Sequence, residues 1–138
     1  MKKASIFAVL GIAANLSVSC LATAAGKYDG TSALICASSA VNECGLAERC
    51  QARVPESVGL PSLIRIDFAG KKVHPVEPMP NRDSTIRSVY HVNERTVVSG
   101  GEGGRGWVLN IHEQSGRMSA AVVTENEGFV IFGQCAVQ

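Results

Sequence analysis

From Arg105 to His112 and again from Arg117 to Thr124, apolar side chains fall at every second position, on either side of a Glu113-Gln114-Ser115-Gly116 turn. A period of two belongs to an extended strand with one face in the core, so these stretches read as a hairpin. With the turn centred on Gln114–Ser115, Trp107 opposes Val122, Leu109 opposes Ala120 and Ile111 opposes Met118, which makes one face continuously apolar.

The same rhythm runs through the rest of the chain, with apolar stretches of about 5–9 residues between turn clusters. Ser62 to Phe68, Lys72 to Val76, Thr85 to Val92, Thr96 to Ser99 and Phe129 to Cys135 are further strands, with one or two more around Cys36 and Cys50. No stretch keeps an i, i+3, i+4, i+7 apolar pattern over ten residues, and only Gly45 to Cys50 has room for a turn of helix. The expected fold is all-β: an antiparallel meander of about 8 strands that closes into a small barrel, with a β-sandwich as the alternative.

Residues 1–25 have a different character. Lys2 and Lys3 precede a short apolar run, and small residues lead to Ala22-Thr23-Ala24-Ala25-Gly26, the pattern of a cleaved, helical signal peptide. The run is short and contains Gly11 and Asn15, which suits a membrane-spanning helix poorly. Residues 26–138 are then a single β domain. Cys20 follows Ser17-Val18-Ser19, where a lipidation signal normally has an aliphatic residue three before the cysteine, so a lipid anchor at Cys20 is the lesser alternative. Without lipidation, no membrane contact is expected after cleavage.

Cleavage removes two of the 13 basic side chains and no acid, leaving 11 against 12 and a net charge of −1. That balance lacks the basic footprint expected of a nucleic-acid binder. It leaves four cysteines, Cys36, Cys44, Cys50 and Cys135, an even number in an exported chain, which indicates two disulfides and a periplasmic or secreted location. The spacings of seven and five residues lack the C-x2-C knuckle of a zinc site. Of the three connectivities, Cys44–Cys50 with Cys36–Cys135 is favoured, because it staples a local turn and joins the first strand to the last. Cys36–Cys44 with Cys50–Cys135 stays open.

Several runs resemble a set of small exported bacterial proteins without a characterised activity. They are Ala33-Leu34-Ile35-Cys36-Ala37, Glu43-Cys44 with Cys50, Leu60-Pro61-Ser62, Gly106-Trp107-Val108-Leu109-Asn110-Ile111 and Gly128-Phe129-Val130-Ile131-Phe132-Gly133-Gln134-Cys135. The resemblance implies export and a shared fold, and supplies no catalytic residues. A looser likeness, of architecture alone, is to the periplasmic lysozyme-inhibitor barrels.

Candidate chemistry is sparse. With a turn at Gly70–Lys71, Asp67 faces His74, and a carboxylate beside an imidazole can raise its basicity. No G-x-S-x-G surrounds a serine that could complete a hydrolase, so an exposed polar ladder is the simpler reading. His74, His91 and His112 sit on separate strands without metal-ligand spacing, and no metal or cofactor is expected. Gly100 to Gly104 precedes a strand instead of a helix, which excludes a phosphate loop and suggests a mobile hairpin connection near Glu102 and Arg105. Trp107, the single tryptophan, reads as core, with ligand stacking inside a barrel as the lesser alternative. The proline-containing loops Pro55 to Pro61 and Glu77 to Arg82 are stiff, with Met79 as an exposed tip and Arg82 beside it.

The candidate binding residues are therefore Trp107, Arg105, Glu102, Met79 and Arg82. The leading functional expectation is a non-enzymatic protein-binding or inhibitor-like module whose partner is another envelope protein. A small-ligand-binding barrel comes second, and a hydrolase built on Asp67 and His74 third.

Overall fold

The structure, a computed structural model, describes residues 28–76, 79 and 82–138. The signal-peptide, cleavage-site and Cys20 expectations lie outside the described residues, as do four residues of the Glu77–Arg82 loop.

Among the described residues nine antiparallel strands form one sheet: β1 (Leu34–Gly45), β2 (Gln51–Arg53), β3 (Leu63–Asp67), β4 (Lys72–Pro75), β5 (Ser84–Val92), β6 (Arg95–Glu102), β7 (Arg105–His112), β8 (Arg117–Val123) and β9 (Glu127–Val137). Strands β3 to β9 run as a meander. β9 then pairs with β1 along nearly its whole length, which closes an eight-stranded barrel. The other edge of β1 is shared: Leu34–Ala37 pair with β3, and Val41–Glu43 pair with the extra strand β2. A bulge between Ser38 and Ala40 bends the strand between the two uses. The barrel is thus the expected fold. No helix among the described residues is long and apolar enough to cross a membrane.

Both favoured disulfides form. Cys36 and Cys135 are directly opposed on β1 and β9, with Cα atoms 3.9 Å apart. The Cys135 N–H donates to Gly116 O on the β8 side, so the cysteine pair is a non-hydrogen-bonded one, where cross-strand side chains approach most closely. Cys44–Cys50 closes the local turn. That turn is not helical. Among the described residues the one helical turn is a 3-10 segment at Pro55–Val58, where proline pre-sets the first φ.

The β7–β8 register is the expected one at all three predicted pairs. Inward side chains such as Leu109, Ile111, Met118 and Ile131 form the core with Leu34, Ile66 and Val98. One end is closed by Tyr28 and Phe68, which pack against this core. Thr96, fully buried at that end, has its hydroxyl 2.9 Å from Tyr28 O, 3.1 Å from Glu113 Oε1 and 3.2 Å from His91 Nδ1.

Two local expectations are corrected. The β3–β4 turn is centred one residue earlier than expected, so Arg65 faces His74 and Asp67 faces Lys72. The Asp67 carboxylate accepts from the Gly70 N–H at 2.9 Å, and Lys71 takes the left-handed conformation (φ 54°). The glycine run is not a mobile loop either. Gly100, Gly101 and Glu102 are paired residues of β6, and only Gly103 and Gly104 turn the chain. Both have positive φ (51° and 79°), the two-residue hairpin geometry that glycine suits best.

Candidate functional site

The barrel interior is not completely filled by its own side chains. A cavity of ≈ 120 Å³ lies inside it, walled by Leu109, Met118, Ala120, Val122 and Ile131 from β7, β8 and β9 and by Val73 from β4. Leu60 and Pro61, carried across by the Pro55–Pro61 segment, bound it further. That segment is more than an exposed connector, because Leu60 is buried in the core cluster.

Trp107 forms one wall. It reaches this position through its cross-strand neighbour. A Cβ built on Gly100 would lie 2.3 Å from Trp107 Cζ2 and 2.3 Å from Thr85 O, so only glycine leaves room for the indole. The indole N–H donates to Ser84 Oγ at 2.6 Å, and Ser84 is itself buried. The ring is therefore fixed along its Nε1–Cζ2 edge while it lines the cavity.

Three charged side chains line the cavity: Arg82, Glu102 and Arg105. Glu102 and Arg105 are the pair that closes the Gly103–Gly104 turn, which puts both at one edge of the pocket. Arg82 donates to the Gly59 carbonyl, tying the chain entering β5 to the Pro55–Pro61 segment. Arg105 takes part in none of the ion pairs among the described residues. An apolar cavity with an unpaired guanidinium at its edge can hold a small apolar body and meet one polar or anionic group on it.

Of the five sequence candidates, the structure brings four together here: Trp107, Arg105, Glu102 and Arg82. Met79 is half-buried instead of an exposed tip and is not part of the lining. Ser84, Leu60 and Gly100 were missed as site residues. The signal for Ser84 and Gly100 lies in the β4–β5 register and in the β5–β6 register, the second of which the bulge at Arg87 shifts.

The expected Asp67–His74 pair does not form. His74 Nδ1 lies 2.9 Å from Asp83 Oδ1, and Asp67 serves its turn. His91 Nδ1 lies 2.8 Å from Glu113 Oε1, while His112 Nδ1 accepts from the Gln114 and Ser115 N–H groups. Among the described residues no group of His, Cys, Asp and Glu converges where a metal ion could be held.

Compared with protein-family models, curated proteins and solved structures, the chain finds no match in any of the three. Its functional reading rests on this geometry.

Proposed function

We propose that this chain is an exported, non-enzymatic binding protein that takes a small ligand with a compact apolar body and an anionic head. The observation that carries the reading is the open apolar cavity of ≈ 120 Å³ against the single tryptophan, edged by the unpaired Arg105. Engineered apolar cavities of about 150 Å³ bind benzene, so the body is on the order of one aromatic ring or a short alkyl chain. Two arginines against one glutamate favour a carboxylate over a cationic head. Two disulfides support an oxidising compartment, periplasmic or extracellular.

Titration of Trp107 fluorescence with benzoate, hexanoate and their neutral alcohols tests this. The carboxylates should shift the emission saturably and more tightly than the alcohols. Arg105→Gln should weaken carboxylate binding by about tenfold, the worth of one charge-assisted hydrogen bond, and leave the alcohols unchanged. Unaltered emission across the whole panel would overturn the reading.

A second reading, a protein-binding or inhibitor-like module, has its own observation. The Cys44–Cys50 loop is closed covalently and presents Leu46 at 70% exposure. A stapled loop loses little conformational freedom on docking. Under this reading, an envelope protein retained by the immobilised chain should be released by Leu46→Asp. Equal retention by both would remove the loop from consideration.

A further inference from the structure

Among the described residues the sheet has two free edges, and they are built differently. β2 is three residues long, ends in Arg53 and runs into Pro55, the usual devices that keep an edge from pairing. The second half of β5 has no such protection. β4 pairs with β5 only at Lys72–Thr85 and Val73–Ser84, and the last contact on that side is the Ile86 N–H donating to Lys71 O. Beyond it the β3–β4 turn leads the neighbouring chain away. Among the described residues nothing pairs with the outer edge of Ser88–Val92. This segment contains no lysine, proline or acid, and Val89, Tyr90 and Val92 are 40%, 53% and 46% exposed.

The backbone parity is fixed by the β5–β6 turn. Asn93 and Glu94 both have positive φ, and Val92 faces Arg95 across this two-residue turn. Val92, Tyr90 and Ser88 therefore aim their amide and carbonyl groups at β6, and Val89 and His91 aim theirs outward. The outward groups are arranged symmetrically about Tyr90, and a strand with that pattern is its own complement.

We propose that the free edge of β5 pairs antiparallel with the same edge of a second copy, about a two-fold axis at Tyr90. Val89 of each copy then faces His91 of the other as a hydrogen-bonded pair, which satisfies all the outward groups. Ser88 faces Val92, and the two Tyr90 rings meet on the outer face at the axis, a favourable cross-strand aromatic contact. Arg87 of each copy comes beside the Asn93–Glu94 turn of the other, cation against carboxylate. Arg87 is also the bulged residue, so the bulge and the turn delimit the paired window at its two ends. The interface is small, and the association depends on concentration.

Sedimentation velocity of the disulfide-intact chain across a concentration series tests this, and a single monomer–dimer equilibrium is expected. Val89→Pro removes an outward N–H without touching the bonds to β6, and Tyr90→Glu sets two carboxylates against each other at the axis. Each should weaken association by about tenfold or more, with native Trp107 emission showing that the barrel is intact. Tyr90→Cys should crosslink two copies on mild oxidation much faster than Val92→Cys, because only position 90 faces itself. A monomer at every concentration, a dimer indifferent to both edge variants, or equal crosslinking at positions 90 and 92 would overturn the proposal.

Discussion

At the level of single residues, the cavity depends on a glycine. Gly100 faces Trp107 across β6 and β7, and the space where a Cβ would stand is taken by the indole and by the Thr85 carbonyl. Gly100→Ala therefore has to displace either the ring or the backbone of β5. Overpacking of this kind costs about 1–3 kcal/mol, and chemical denaturation with urea should show a loss in that range. The same variant should change the tryptophan emission of the folded state, because displacement of the ring disturbs the 2.6 Å bond to Ser84. A stability loss with unchanged emission would mean that the backbone yields instead of the indole.

At the level of strands and turns, Lys71 has a φ of 54° in the β3–β4 turn, a conformation that costs a side-chain-bearing residue roughly 1 kcal/mol relative to glycine. Its main-chain N–H bond to Phe68 O would survive replacement. Lys71→Gly should therefore stabilise the protein by about 0.5–1 kcal/mol, partly offset by the larger freedom of glycine in the unfolded chain, and a rise in the urea midpoint would report it. This turn also shows why one register was legible and another was not. The β7–β8 turn has Gly116 at its positive-φ position (φ 68°), so alternation and turn chemistry agreed and the pairs could be counted outward from it. In the β3–β4 turn the glycine serves the Asp67 carboxylate, since a Cβ on Gly70 would lie 2.5 Å from its Oδ2, and a lysine takes the strained position. Counting outward from Gly70–Lys71 therefore slipped the pairing and placed Asp67 opposite His74. The glycine-rich run departs from expectation for a related reason: glycine in sequence reads as a strand breaker, yet two of its members are strand residues kept small by Trp107 and by the Arg105 backbone. Trp107, Arg105 and Glu102 could be picked out in sequence because they lie within that run or just after it. The convergence of Arg82 and Leu60 on them depends on barrel closure, which brings distant segments together and leaves no local periodic trace.

At the level of the whole molecule, closure depends on the seam between β1 and β9, and the two disulfides contribute to it unequally. Cys36–Cys135 spans 99 residues across that seam, whereas Cys44–Cys50 spans six within one turn. If a crosslink acts mainly by restricting the unfolded chain, the long loop contributes nearly 5 kcal/mol and the short one about 2 kcal/mol. Against a total of about 5–15 kcal/mol for an ordinary domain, the first is a large fraction and the second a modest one. The urea midpoint of Cys36→Ser/Cys135→Ser should therefore fall well below that of Cys44→Ser/Cys50→Ser. Accessibility orders the chemistry in the same direction: Cys36 and Cys135 are 0% and 2% exposed, while Cys50 is exposed. A folded sample in mild reductant should lose the Cys44–Cys50 bond first with its tryptophan emission unchanged, and lose Cys36–Cys135 only as the barrel opens. Equal midpoints for the two double variants would show that the seam is held by strand pairing and core packing, with loop closure contributing little.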